Sequence, residues 1–234
     1  MAESGSSSSS RENASHSKLR DLIELAIAYG LILLVIWTPR DWQRHLWWIA
    51  AAVIAIIACA SFDGLKAMGL TTTSFFRSLW VTGAALLLAA MAILVAVELH
   101  TLHLPHGPIL FIETYWEYAL WACVQQFLLL GFFLPRFLRL MPGANSAAIL
   151  AACLFAFAHL PNPILTPITL IWGLVACLLF LHYRNLYPLA MAHAIVGISI
   201  AISVPGRVDH NMHVGLGYLT YRQHPHNPPR LPQP

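Results

Sequence analysis

Between Leu140 and Leu181 the chain carries no Asp, Glu, Lys or Arg. The stretch is rich in Leu, Ala and Ile and lacks period-2 alternation, so it does not read as strands. A run this long and this apolar suits hydrocarbon, where only helices and closed barrels satisfy the backbone. Composition extends the point to the whole chain of 234 residues. Hydrophobic residues make up 58%, charged residues 10%, and mean hydropathy is +0.66, whereas a soluble domain carries about 25% charged residues. A soluble enzyme and a secreted disulfide scaffold are thereby excluded. The net charge of +3 is spread too thinly to form a basic groove, so nucleic acid is not an expected partner. Cys59, Cys123, Cys153 and Cys177 all lie inside apolar runs without a Cys-x-x-Cys pair, and read as buried structural thiols.

Apolar segments fall at roughly 20–38, 46–62, 78–99, 109–140, 146–160, 164–182 and 186–204. A spanning helix needs about 20 residues, so the second and fifth are short. The expectation is an all-α integral membrane protein, a bundle of about seven transmembrane helices. Residues 1–18 are Ser-rich and polar and read as a disordered leader; N-terminal transmembrane helices occupy 19–108; a helical core occupies 109–206; and 207–234 is a polar His/Pro-rich tail. With the N-terminus inside, inner segments hold Arg11, Lys18, Arg20, Lys66, Arg77, Arg136, Arg139 and Arg184, against Arg40, Arg44, Arg207, Arg222 and Arg230 outside. That bias places the N-terminus in the cytoplasm. Trp42, Trp47, Trp48, Trp80, Trp116 and Trp121 mostly flank span ends, as interfacial anchors do.

Polar side chains in hydrocarbon are costly and point to function. Four stand out: Gln125, Gln126, His159 and His193. The adjacent amides lie near the middle of the segment from Ile109 to Leu140, which as one helix would be about 48 Å long. Each residue also has an ordinary reading, as interhelical glue or as a satisfied core histidine. Their distribution over three otherwise apolar helices favours a shared site.

Three motifs carry a resemblance. The stretch Gln125-Gln126-Phe127-Leu128-Leu129-Leu130-Gly131 resembles Glu-Glu-x-x-x-Arg-Gly. Phe155-Ala156-Phe157-Ala158-His159 resembles Phe-x-x-x-His. His193, near the start of the last apolar helix, stands four residues before Gly197, where the third motif has Asn or Asp. Together, in this order, over roughly residues 110–205, they resemble the CAAX prenyl protease and bacteriocin-processing (CPBP) family of intramembrane proteases. The resemblance implies a CAAX-protease-like core in the C-terminal half and a peptide-bond hydrolase acting on a lipidated or membrane-embedded peptide. It implies catalytic roles for Gln125, Gln126, His159 and His193, and a substrate pocket at Phe155, Asn162, Leu130 and Gly197. Membrane lipids are the other expected partner.

The departures weigh against hydrolysis. In the family the first glutamate of the pair is taken to activate water. Gln125 is an amide and accepts no proton at working pH, whereas general-base catalysis needs a group titrating near that pH. Leu130 replaces the Arg, so the cluster reads as neutral and polar. A non-catalytic relative, whose cavity binds a lipid, a peptide or a partner helix, is the competing expectation. Glu117 is the candidate substitute base. It shares a helix face with Glu113 but precedes Gln125 by about 12 Å along a continuous helix, rotated by about 80°. An interfacial pair of acids is the simpler reading. His159 and His193 supply two imidazoles to a divalent metal such as zinc, where a catalytic zinc site usually has three protein ligands. His100, His103 and His106, and equally Asp209, His210 and His213, read as solvated connections, and His224 and His226 as part of the tail. A transporter is disfavoured because no acid lies at the bundle centre.

Overall fold

The computed structural model describes residues 4–105 and 107–221. Residues 1–3, His106 and the tail from 222 onward, with His224 and His226, lie outside the described residues. Helix α1 runs Ser4–Ile36, α2 Arg40–Ala60, α3 Phe75–Ser78 and α4 Trp80–Glu98. Helix α5, Pro108–Gln126, passes through a π-helical segment, Phe127–Phe133, into α6, Leu134–Leu140. Then follow α7 Ala144–Phe157, α8 Leu165–Tyr183, α9 Tyr187–Ser203, and two short helices, α10 Gly206–Asp209 and α11 Gly215–Leu219. The architecture is all-α. Arg40–Ala60, Phe75–Glu98, Pro108–Leu140 and Leu165–Tyr183 are long and apolar enough to cross a membrane, and Ala144–Phe157 and Tyr187–Ser203 are shorter apolar helices.

Small residues set the packing. In α7, Ala147, Ala148, Ala151, Ala152 and Ala156 are buried against α8, whose buried face carries Thr169, Gly173, Ala176 and Cys177. A Cβ added at Gly173 would sit 3.3 Å from the Ala152 Cα; the missing side chain is what lets these helices approach. In α4, Val81, Ala85 and Ala89 turn inward toward α9, while Leu86, Leu87, Leu88 and Leu94 are more than half exposed. Helices packed through small residues, with large apolar side chains outward, are the expected membrane arrangement, because lipid offers no hydrophobic drive between them. The cysteines depart from expectation: Cys177 is buried, but Cys59 and Cys123 are exposed on outward helix faces.

The long fourth segment is one rod with a widened turn inside it. Proline at position 135 lacks an amide hydrogen, and in an α-helix its ring would meet the carbonyl four residues back, at Gly131. The π-helical segment ends just before it, and a π-bulge of this kind often marks a functional position.

Helix also extends back to Ser4, where the sequence suggests a disordered leader. No proline interrupts residues 4–18, and serine is only moderately unfavourable in a helix. A buried ionic cluster then ties α1 to α6. Arg136 Nε and Nη2 donate to Glu24 Oε2 at 2.8 and 2.6 Å, and its Nη1 donates to the Phe132 carbonyl. The guanidinium lies 3.6 Å above the Phe132 ring centroid. Glu24 also accepts from the Ser61 hydroxyl. Arg139 grips Asp21 bidentately and reaches Asp63 at 3.0 Å. Every strong donor of Arg136 used here ends on an acceptor, the condition under which a buried charge is tolerated. Leu130 stands where the motif has its cation and is fully buried in the apolar core, yet the bundle does hold a buried cation: Arg136, six residues on.

Candidate functional site

Gln125 and Gln126 end α5 on neighbouring faces, about 100° apart. Gln126 is fully buried and turns toward α9, where its Oε1 lies 3.0 Å from His193 Nδ1. Gln125 is part-exposed and turns into open space between the helices. That space has two parts. One chamber, about 130 Å³, is apolar, with Tyr29, Ile32, Leu129, Phe133, Leu154 and Phe155 among its walls. The other, about 270 Å³, includes Tyr118, Thr169, Trp172, His193 and Gly197. Gln125, Trp121, His159 and Val214 line both, so the amide and one imidazole stand where the chambers meet.

His159 closes the end of α7. Its Nδ1 lies 2.7 Å from the Phe155 carbonyl, one of the last four carbonyls of the helix that lack an intrahelical partner. A carbonyl only accepts, so Nδ1 carries the hydrogen and Nε2 keeps its lone pair. The same contact therefore caps the helix and fixes the tautomer of the ring facing the chamber. His193 is enclosed by aromatic rings: Phe155 stands edge-on at 5.8 Å and Trp172 lies at 6.0 Å. Phe155 also meets His159 edge-on at 4.9 Å, which holds the two imidazoles to a common wall.

The structure brings Gln125, Gln126, His159, His193, Phe155 and Gly197 together. It separates the others. Glu117 and Glu113 are exposed and line neither chamber, in keeping with their position two turns away on a continuous rod. Leu130 packs in the core. Asn162 is fully buried but acts as a tie. Its Oδ1 accepts from the backbone amides of Ile164 and Leu165, both at 3.0 Å, and its Nδ2 donates to the carbonyls of Asp209 and His213 at 2.7 and 3.0 Å.

That tie corrects the reading of Asp209, His210 and His213 as a solvated connection. Residues 205–221 fold back over the site. Asn211, Met212 and Val214 form one side of the polar chamber. The Gly215 amide donates to the Leu160 carbonyl at 2.7 Å. Gly215 sits at φ +55°, and a Cβ there would lie 2.5 Å from the Ile36 carbonyl oxygen, so only glycine passes beneath the end of α1. Arg40 Nη2 lies 2.7 Å from His213 Nε2, and His210 stacks on Tyr218 at 4.1 Å. Asp209 is buried, and loss of water pushes its carboxyl above the usual carboxylate range, opposed by backbone amides that hydrogen-bond it, including that of Asn211.

Three liners lie outside the sequence reading. Tyr118 precedes Gln125 by seven residues, two helical turns on one face, so its presence was available from spacing. Trp121, read as an interfacial anchor, faces both chambers. Trp172 carries no motif signal. No charged side chain lines either chamber.

The donors do not fit a catalytic zinc site. His159 and His193 supply two imidazoles, but a third strong ligand is wanted, and Gln125, Tyr118 and Asn211 offer only neutral oxygens. Among the described residues no group of three His, Cys, Asp or Glu side chains is placed to hold a metal ion.

A family model described as "Type II CAAX prenyl endopeptidase Rce1-like" matches residues 45–199. The match begins within α2, well before the three motifs, and so takes in N-terminal helices that the motif resemblance leaves out. No curated protein and no solved structure matches the chain.

Proposed function

The chain belongs to the Rce1-like family of type II CAAX prenyl endopeptidases, and from that premise we propose that it is a non-hydrolytic member that binds a lipidated or membrane-embedded peptide. The observation that carries this reading is the absence of any carboxylate among the residues lining the two chambers. Peptide hydrolysis in water is slow because water is a poor nucleophile until a base takes its proton. Gln125 and Gln126 cannot take it, and Glu117 is too far along the rod. The apolar chamber suits the lipid group and the polar chamber the peptide, whose backbone needs hydrogen-bond partners in hydrocarbon. Membrane lipids surround the outward Leu faces, and the arginine bias supports a cytoplasmic N-terminus.

A second reading has one observation in its favour. His159 presents an unprotonated Nε2 to a chamber with room for water, and an imidazole can serve as a general base. The two readings separate in one experiment. The chain in liposomes is given a lipidated fluorogenic peptide, and binding and cleavage are followed together. The expected result is saturable binding with cleavage no faster than in empty liposomes, unchanged in His159→Ala. Cleavage by the wild type that is lost in His159→Ala would establish the second reading and overturn the first.

A further inference from the structure

The polar chamber has a hydrogen-bond donor in its wall that no described residue satisfies. Trp172 Nε1 is buried and has no partner among the described residues, although its ring lines the chamber beside His193. An indole nitrogen can only donate, and a buried donor left unpaired is costly. Across the same chamber stands the Tyr118 hydroxyl. It occupies the volume that Gly197 leaves open: a Cβ at position 197 would overlap the Tyr118 Oη. Tyr118 and Gly197 both line the chamber. Gly197 therefore does more than omit a side chain. Its bare backbone admits a phenol from α5 to the floor of the site, one helical turn beyond His193.

We propose that Tyr118 and Trp172 form a donor pair that binds the carbonyl oxygen of an ester or amide in the ligand. The proposal deepens the binding reading above and rests on it. It follows from what the walls lack as much as from what they hold. An ammonium ligand would bring a charge that no side chain lining the chamber balances, and a bare hydrocarbon would leave both groups unpaired. A carbonyl oxygen has two lone pairs and can accept from both at once. The carbonyl is neutral, which matches a chamber with no charged side chain to balance a carboxylate in a medium of low dielectric. The orientation also follows: the carbonyl sits in the polar chamber, and the apolar chain on its far side passes Gln125 and His159 into the apolar chamber. Tyr118 and Trp172 are positioning residues for the ligand.

The test compares two amphiphiles that differ only in the carbonyl: a 1-monoacylglycerol and the 1-alkylglycerol ether of equal chain length. Binding to the full chain in micelles is measured by calorimetry. One hydrogen bond contributes roughly threefold to tenfold in affinity, so the wild type is expected to prefer the ester by about tenfold or more. Tyr118→Phe keeps the ring and removes the hydroxyl, and Trp172→Phe keeps an aromatic wall and removes the donor; each is expected to cut the preference about threefold or more, with ether affinity unchanged. Gly197→Ala is expected to act like Tyr118→Phe, because the new methyl displaces the phenol. Equal affinity for ester and ether in the wild type overturns the donor pair while leaving the chambers as a binding site. An ester preference that survives both Phe variants also overturns it. If neither amphiphile binds, the chamber reading fails with it.

Discussion

Arg136→Met is expected to cost the chain about 3–5 kcal/mol of stability. The reason is what the substitution leaves behind. Arg136 is wholly buried and Glu24 nearly so, and the pair is closed by the Phe132 carbonyl and ring on one side and the Ser61 hydroxyl on the other. Removing the guanidinium leaves Glu24 Oε2 without a donor on its buried side, while Oε1 keeps the Ser61 hydroxyl and the outer Arg20 guanidinium at 3.3 Å, and a carboxylate half-stripped in this way must neutralise or draw in water. The double variant Arg136→Met with Glu24→Leu removes both charges and is expected to regain most of the loss, because replacing a whole buried pair by apolar groups is often neutral. Reversible unfolding in mixed micelles measures both. A single-variant loss under about 1 kcal/mol, the range of exposed pairs, would contradict this account of the cluster.

Asn162→Ala is expected to release the segment that covers the site. The side chain makes four hydrogen bonds, two to amides at the start of α8 and two to carbonyls at Asp209 and His213. Each buried group left unpaired costs about 1–3 kcal/mol, although the released segment can turn its carbonyls to water and lower that sum. Loss of even one such group corresponds to roughly a tenfold change in an opening equilibrium. Amide hydrogen exchange across residues 205–221 is therefore expected to accelerate by about tenfold to a hundredfold, with α7 and α9 unaffected. Unchanged exchange in that segment would show that Arg40, the His210 stack and Gly215 hold it without Asn162.

The two expectations mark where sequence reading reaches. The apolar segments were legible because hydrocarbon imposes helices, and the three motifs placed the amides and imidazoles in order. The ionic cluster has a signature in residue spacing. Asp21 and Glu24 stand three apart on one helix, Arg136 and Arg139 three apart on another, and antiparallel helices align such pairs in reverse, 21 with 139 and 24 with 136. Residues 205–221 left no comparable signal. Their polar composition resembles a solvated connection, and only the buried amide of Asn162 shows why the chain turns back. Leu130 shows a different limit: matched by position to a charged motif residue, it packs in the core, while the cation lies on the far side of a π-helical turn that spacing alone does not reveal. Trp172 was hidden by its ordinary setting in an apolar helix.

The account depends on Gln125, His159 and His193 facing one water-holding chamber inside the bundle. Single cysteines test this directly: Gln125→Cys, His159→Cys and His193→Cys, with Leu130→Cys as a core position, each in a chain whose Cys59, Cys123, Cys153 and Cys177 are replaced by alanine. The measurement is the rate of modification by a small water-soluble thiosulfonate in liposomes. The account predicts modification at positions 125, 159 and 193, slowed by a bound lipidated peptide, and none at 130. Positions 125, 159 and 193 that stay as inert as position 130 would contradict it.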